Sequence, residues 1–209
     1  MMATLLKIDS SPMGDRSISR KLTAQFADAW RKSHPSGRVV SRDLSKMTIP
    51  TVDGSWVGAV YTPEEGRSPE QHKLLALSDE LIAELYAADE IVLGSPMHNF
   101  SIPSVLKLWI DQIVRVGKTF SYGEKGPVGL LKNKKMTLLI ASGGSYGEGT
   151  ALASLNFLSP YLRTLFGFMG ITDVTIIPAE GTSALRQGNV DPQAFLAPVL
   201  ERVEAHASR

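Results

Sequence analysis

The sequence predicts an α/β fold: a parallel β-sheet with helices on both of its faces. Two observations predict it. Five short, continuous apolar runs recur along the chain, as strands buried on both faces require. Segments of helical periodicity separate them, the pattern of repeated strand–helix units. The length of 209 residues suits a single domain over residues 1–209 with a sizeable core.

Ala3–Ile8 is a short apolar run ending in a serine-rich loop, and reads as the first buried strand. In Ser17–Lys32, Ile18, Leu22, Phe26 and Trp30 recur four apart and share one helical face. Arg38–Leu44 is the second strand. Residues 45–67 mix prolines and glycines without a clear period, and read as a long, functional or partner-facing excursion. Ser68-Pro69-Glu70-Gln71 combines an N-cap serine, proline at the first helical position and a capping-box glutamine; it predicts a helix to Ala88. Ile91, Val92 and Leu93 mark Glu90–Ser95 as the third strand, and a helix over Pro103–Val116 follows. In Lys118-Thr119-Phe120-Ser121-Tyr122 the aromatics alternate, as in a short strand, the wall of a pocket, or a packed edge. Lys135–Ala141 is the fourth strand, Ser159–Met169 a helix, Val174–Ile177 the fifth strand and Asp191–Ala207 the final helix.

Right-handed crossovers leave few ways to connect five parallel strands. The flavodoxin-like order 2-1-3-4-5 fits best. Such sheets bind ligands beyond the carboxyl ends of their strands, where the strand order reverses. The loops after the first, third and fourth strands are therefore the places to look for chemistry.

Composition narrows the function. The formal net charge is +1, and the densest basic cluster is Lys132, Lys134 and Lys135. It reads as a solvated loop before a strand, not a nucleic-acid surface. The chain has no cysteine, which removes disulfides, thiolate metal sites and thiol redox chemistry. Any redox work falls to a bound cofactor. No apolar stretch nears the ~20 residues of a membrane span, and Met1–Ser11 lacks a secretory leader's ~7–15 apolar residues. A cytoplasmic protein without a membrane partner is expected.

The first loop, Asp9 to Ser19, runs into a helix whose free N–H groups favour an anion. Ser11, Ser17 and Ser19 add hydroxyl donors, and Arg16 or Arg20 a charge. Neither a dinucleotide fingerprint nor a Walker A pattern is present, so a monophosphate fits; helix capping is the plain alternative. The second loop, Pro96-Met97-His98-Asn99-Phe100-Ser101-Ile102-Pro103, mixes apolar and polar groups in a way that suits a flat heteroaromatic ring. His98 is a possible catalytic residue, although no carboxylate adjoins it and no cluster suggests a metal site. In the third loop, Ser142-Gly143-Gly144-Ser145-Tyr146-Gly147-Glu148-Gly149, the glycines permit close backbone approach to a ligand.

These residues also carry a resemblance. Pro96-Met97-His98-Asn99-Phe100, Ile102-Pro103, Leu106-Lys107, Trp109 and Asp111 resemble the FMN-dependent NADH:quinone oxidoreductases, also known as azoreductases. The likeness continues through Arg115, Gly117, Thr119-Phe120, Tyr122, Gly126-Pro127, Lys134-Lys135 and Gly143-Gly144. It resumes at Tyr161-Leu162, Gly167-Phe168, Gly170-Ile171-Thr172-Asp173 and Ala179-Glu180-Gly181, and Ser11 with Ser17-Ile18-Ser19 matches the phosphate loop. Two departures stand out: His98 where the family commonly has Tyr, and Ala141-Ser142 where it often has Ser-Arg.

The resemblance implies a homodimer with one FMN per subunit. It places the phosphate on Ser11, Ser17, Ile18 and Ser19, and the isoalloxazine among Met97, His98, Asn99 and Phe100. The polar edge of the ring falls near Ser142, Gly143 and Gly144. Phe100, Phe120 and Tyr122 are expected to line a substrate pocket. The implied activity passes two electrons from NADH or NADPH through the flavin to quinones or azo compounds, by a ping-pong exchange. A flavodoxin-type electron carrier and a non-catalytic flavin-binding module are the competing readings.

Overall fold

The computed structural model describes residues 2–188 and 190–209. Its strands are β1 (Thr4–Asp9), β2 (Arg38–Asp43), β3 (Glu90–Pro96), β4 (Phe120–Gly123), β5 (Gly126–Gly129), β6 (Lys135–Ala141) and β7 (Asp173–Ala179). Its helices are α1 (Ile18–Ser33), α2 (Gly54–Tyr61), α3 (Pro69–Ala87), α4 (Ser104–Ile113), α5 (Leu158–Phe168), α6 (Ser183–Arg186) and α7 (Pro192–Ala207). Five strands pair in parallel in the order β2-β1-β3-β6-β7. This is the expected 2-1-3-4-5 order, with a two-stranded hairpin, β4–β5, inserted in the numbering.

Successive side chains of a strand point to opposite faces, and both faces are apolar here. Leu5, Val92, Leu139 and Ile177 pack with Leu22, Phe26 and Trp30 of α1 and with Leu196, Val199 and Val203 of α7. Leu6, Ile8, Ile91, Leu93 and Leu138 pack on the other face with Leu81 and Leu85 of α3, Trp109 of α4 and Phe166 of α5. Each fully buried Leu or Ile contributes ~1.5–3 kcal/mol over an exposed one. A one-residue slip in register would exchange the two faces of a strand. The expected capping box starts α3: Ser68 Oγ accepts the Gln71 N–H at 3.3 Å, and Gln71 Oε1 accepts the Ser68 N–H at 3.0 Å.

Two sequence readings need correction. The 45–67 excursion is not irregular throughout, because α2 forms inside it. Gly54 and Gly58 weaken its local helix preference, but tertiary contacts outweigh them. Asp53 Oδ1 caps the Trp56 N–H at 2.8 Å, and buried Trp56 donates through Nε1 to Gln112 Oε1 at 3.2 Å.

Lys134 is not solvated. It is 9% exposed, and its Nζ donates to the carbonyls of Tyr86 at 2.9 Å and Ala88 at 2.6 Å, at the end of α3. Burial lowers its pKa below the ordinary lysine value; a cation at a helix carboxyl end meets the negative end of the dipole.

Of the alternatives open for the alternating aromatics, the short strand forms as β4 and Phe120 packs at its edge. Its ring lies 4.7 Å from that of Phe168, while Tyr122 is exposed. The hairpin sits so close to the end of α5 that a Cβ on Gly129 would lie 2.1 Å from the Gly170 nitrogen. Among the described residues, no helix is long and apolar enough to cross a membrane.

Candidate functional site

The loops after β1, β3 and β6 meet at the carboxyl end of the sheet, on the side where the strand order reverses. The first is pinned to β3, since both the N–H and the hydroxyl of Ser10 donate to the Gly94 carbonyl, at 3.1 and 2.9 Å. Gly94 is required by close approach. A Cβ there would lie 2.6 Å from Thr23 Cγ2 and 2.9 Å from the Ser19 carbonyl oxygen. The first turn of α1 therefore lies directly against β3.

Ser17 caps that turn, its Oγ accepting the Arg20 N–H at 3.3 Å. The Ser17 and Ser19 hydroxyls are 3.2 Å apart. Ser11, Ser17 and Ser19 are no more than 4% exposed. The N–H groups of Ile18 and Ser19 find no acceptor among the described residues. Free N–H groups, buried hydroxyls and the positive end of the helix dipole are together suited to hold a small anion.

Arg20 does not supply a free charge to it. Its guanidinium donates to Asp43 Oδ2 at 2.8 Å and Oδ1 at 2.9 Å, and to the Ser11 carbonyl at 3.1 Å. Burial would raise the Asp43 carboxyl, but hydrogen bonds from Arg20 and Ser45 outweigh it and hold the pKa down to about 2. Asp9, beneath the loop, pairs with Lys7 and accepts the Thr23 hydroxyl at 2.6 Å. Arg16 is exposed and has no carboxylate partner among the described residues.

The loop after β3 is a tight turn. His98 and Ser101 exchange two backbone hydrogen bonds of 2.9 Å, and Asn99 and Phe100 between them have φ of 49° and 69°. Asn tolerates the left-handed region, whereas for an ordinary L-residue it costs roughly 1–2 kcal/mol. In this turn Phe100 is 43% exposed. The ring meets Tyr146 edge-on at 6.2 Å, and the Phe100 carbonyl accepts the Phe157 N–H at 3.1 Å. Met97 N–H donates to the Ala141 carbonyl at 2.8 Å, joining this loop to the third.

In the third loop every carbonyl from Ser142 to Gly144 is taken from behind. Ser142 accepts the Thr182 N–H and hydroxyl at 3.0 and 2.9 Å. Gly143 accepts the Ser183 N–H and hydroxyl at 3.2 and 2.8 Å. Gly144 accepts the Gly181 N–H at 3.2 Å and the Ser142 hydroxyl at 2.9 Å. The N–H groups of Gly143, Gly144 and Ser145 have no acceptor among the described residues. Such oriented donors stabilise negative charge on a ligand.

Met97, Asn99, Phe100, Gly143 and Tyr146 line an open cleft of about 210 Å³. The structure thus brings together two of the three expected loops around one cavity, with the serine site on the neighbouring strand β1. His98 is exposed and outside the lining. Phe120 and Tyr122 belong to the hairpin and do not line the cleft. Sequence reasoning did not single out Tyr146, or Thr182 and Ser183 behind the glycine loop; nothing in their spacing marks them. Among the described residues, no group of His, Asp and Glu side chains could hold a metal ion.

Comparison with known proteins agrees with this geometry. A family described as having a flavodoxin-like fold matches residues 3–205. The FMN-dependent NADH:quinone oxidoreductase of Acidobacterium capsulatum is 53% identical over 207 residues, covering 99% of this chain and 100% of that protein. FMN-dependent NADH:quinone oxidoreductase 3 of Burkholderia lata is 47% identical over 204 residues, covering 98% and 99%. Among solved structures, an FMN-dependent NADH-azoreductase from Bacillus anthracis in complex with FMN superposes with a TM-score of 0.87 at 30% identity, covering 100% of this chain and 99% of that one. The chain belongs to the family of FMN-dependent NADH:quinone oxidoreductases with the flavodoxin-like fold.

Proposed function

We propose that this protein is an FMN-dependent oxidoreductase that passes two electrons from NADH or NADPH to quinones and azo compounds. One observation carries the reading: a buried anion site and a cleft with an aromatic wall and free N–H donors lie side by side at the switch point of the sheet. FMN has the matching parts, a single phosphate and a flat ring with one polar edge. Names of relatives along nearly the whole chain support the same reading.

The residues fit the cofactor as follows. Ser11, Ser17 and Ser19 hydroxyls and the Ile18 and Ser19 N–H groups hold the phosphate. Met97, His98, Asn99 and Phe100 orient the ring. Ser142, Gly143 and Gly144 face its polar edge, where their N–H groups favour negative charge. FMN supplies the two-electron chemistry, and the protein supplies position and electrostatics. The open cleft admits nicotinamide and acceptor in turn, which makes the kinetics ping-pong. No side chain is needed as a general acid, and His98 serves the ring site through its backbone turn with Ser101 and not through its side chain.

The protein works as one domain over residues 1–209, in the cytoplasm and as a homodimer with one FMN per subunit. The cleft is smaller than the ~300–1,000 Å³ of a complete small-molecule pocket, and exposed Phe100, Leu152 and Phe157 lie on its side of the molecule. A second copy covers them. Phe120 and Tyr122 then reach a substrate pocket across the dimer, with Phe100.

An absorption spectrum of the purified protein, followed by anaerobic NADH and then benzoquinone, tests the reading. A flavin spectrum bleached by NADH and restored by quinone is expected. A flavin reduced by neither nicotinamide nucleotide would favour an electron carrier, and no flavin after adding FMN would refute the proposal.

A further inference from the structure

We propose that Glu180 and Arg186 are an opposed pair of charges that sets the electron affinity of the cofactor beside the glycine loop. The proposal rests on the FMN reading above, and on two contacts of that loop. Glu180 Oε1 accepts the Tyr146 N–H at 2.7 Å, one peptide behind the cleft wall. Its other oxygen lies 3.3 Å from where a Cβ on Gly147 would sit. At the opposite end of the loop, Arg186 Nη2 lies 3.3 Å from where a Cβ on Gly143 would sit. The two glycines let the charged ends lie close against the backbone of the loop.

Neither charge is neutralised. No ion pair within 4 Å includes Glu180 or Arg186 among the described residues. Both come from one short segment after β7, which is clamped to the glycine loop through Gly181, Thr182 and Ser183. The backbone that carries the two side chains is therefore held against the loop. A fixed negative charge opposes electrons added to a nearby ring, and a fixed positive charge favours them. A unit charge ~10 Å away, at an effective dielectric of ~20–40, alters the ratio of reduced to oxidised cofactor affinity roughly 4- to 16-fold. Glu180 is half-buried and Arg186 exposed, so salt screens Arg186 more.

Glu180→Gln keeps an oxygen for the Tyr146 N–H and removes the charge, and Arg186→Gln removes the other. The midpoint potential of FMN-loaded wild type and variants is measured by reductive titration against a reference dye. Glu180→Gln should move it positive and Arg186→Gln negative, each equivalent to a ~4- to 16-fold change in relative affinity. The double variant should return close to wild type, and added salt should shrink the Arg186 effect. A purely structural role gives no reason for opposite signs. Shifts in one direction, or both below a twofold equivalent, overturn the proposal. Arg186→Gln changes an exposed side chain and preserves the sign test should Glu180→Gln fail to fold. Wild-type protein that takes up no FMN overturns the functional reading and this pair together; FMN uptake with unshifted variants overturns only the pair.

Discussion

Replacing Ser17 and Ser19 with alanine, singly and together, separates helix capping from phosphate binding. The two serines lie in the same turn and are equally buried, but only Ser17 caps α1. Its loss should cost the cofactor-free protein ~1 kcal/mol, the usual value of an N-cap. Among the described residues the Ser19 hydroxyl has only the Ser17 hydroxyl as its hydrogen-bond partner, so Ser19→Ala should change cofactor-free stability by less than Ser17→Ala. Each hydroxyl donated to a phosphate contributes ~1.5–3 kcal/mol, or roughly 10- to 150-fold in affinity. Urea unfolding without FMN reads the first effect, and fluorescence titration with FMN the second. Ser19→Ala should weaken FMN at least tenfold while nearly sparing stability. Ser17→Ala should lower both, and the double variant should bind more weakly than either. If Ser19→Ala binds FMN as wild type does, the phosphate lies elsewhere and the argument from buried hydroxyls fails.

Three other outcomes are expected. Gly94→Ala should destabilise the fold by ~1–3 kcal/mol and weaken FMN, because the new Cβ would push α1 away from β3; unaltered melting and FMN affinity would contradict the packing argument. Asp43, held at about 2, lies below its unfolded value, so its stabilisation is fully present above ~pH 4 and lost as pH falls toward 2, an increment of about 2 kcal/mol at most. Urea unfolding across that range should show a smaller acid loss in Asp43→Asn, and an identical loss would rule the pair out as its source. His98→Ala should keep FMN and most of its quinone reductase activity, since the side chain is exposed outside the cleft lining; full flavin occupancy with abolished turnover would make His98 catalytic.

The parallel sheet was legible because runs such as Ile91-Val92-Leu93 are apolar at consecutive positions, and only a strand covered on both faces buries them all. Right-handed crossovers left few orders, of which the flavodoxin-like one is the order observed, and the three loops were found from their place after strand ends. The α3 capping box was legible because its bonds close within four residues. Helix α2 was not, because its stability comes from Trp56 meeting Gln112, 56 residues away. The sequence offered Arg20 as a phosphate ligand; the structure spends it on Asp43, 23 residues on. Lys134 read as solvent-exposed until α3 ended above it, and Phe100 showed no sign of its left-handed backbone. Likewise Glu180 meets Tyr146 across 34 residues. Periodicity, capping and strand-end position are local properties that a sequence determines by itself. Which charge finds which partner, and which glycine admits a neighbour, depends on groups far apart along the chain, and only the packed sheet and its helices decided them.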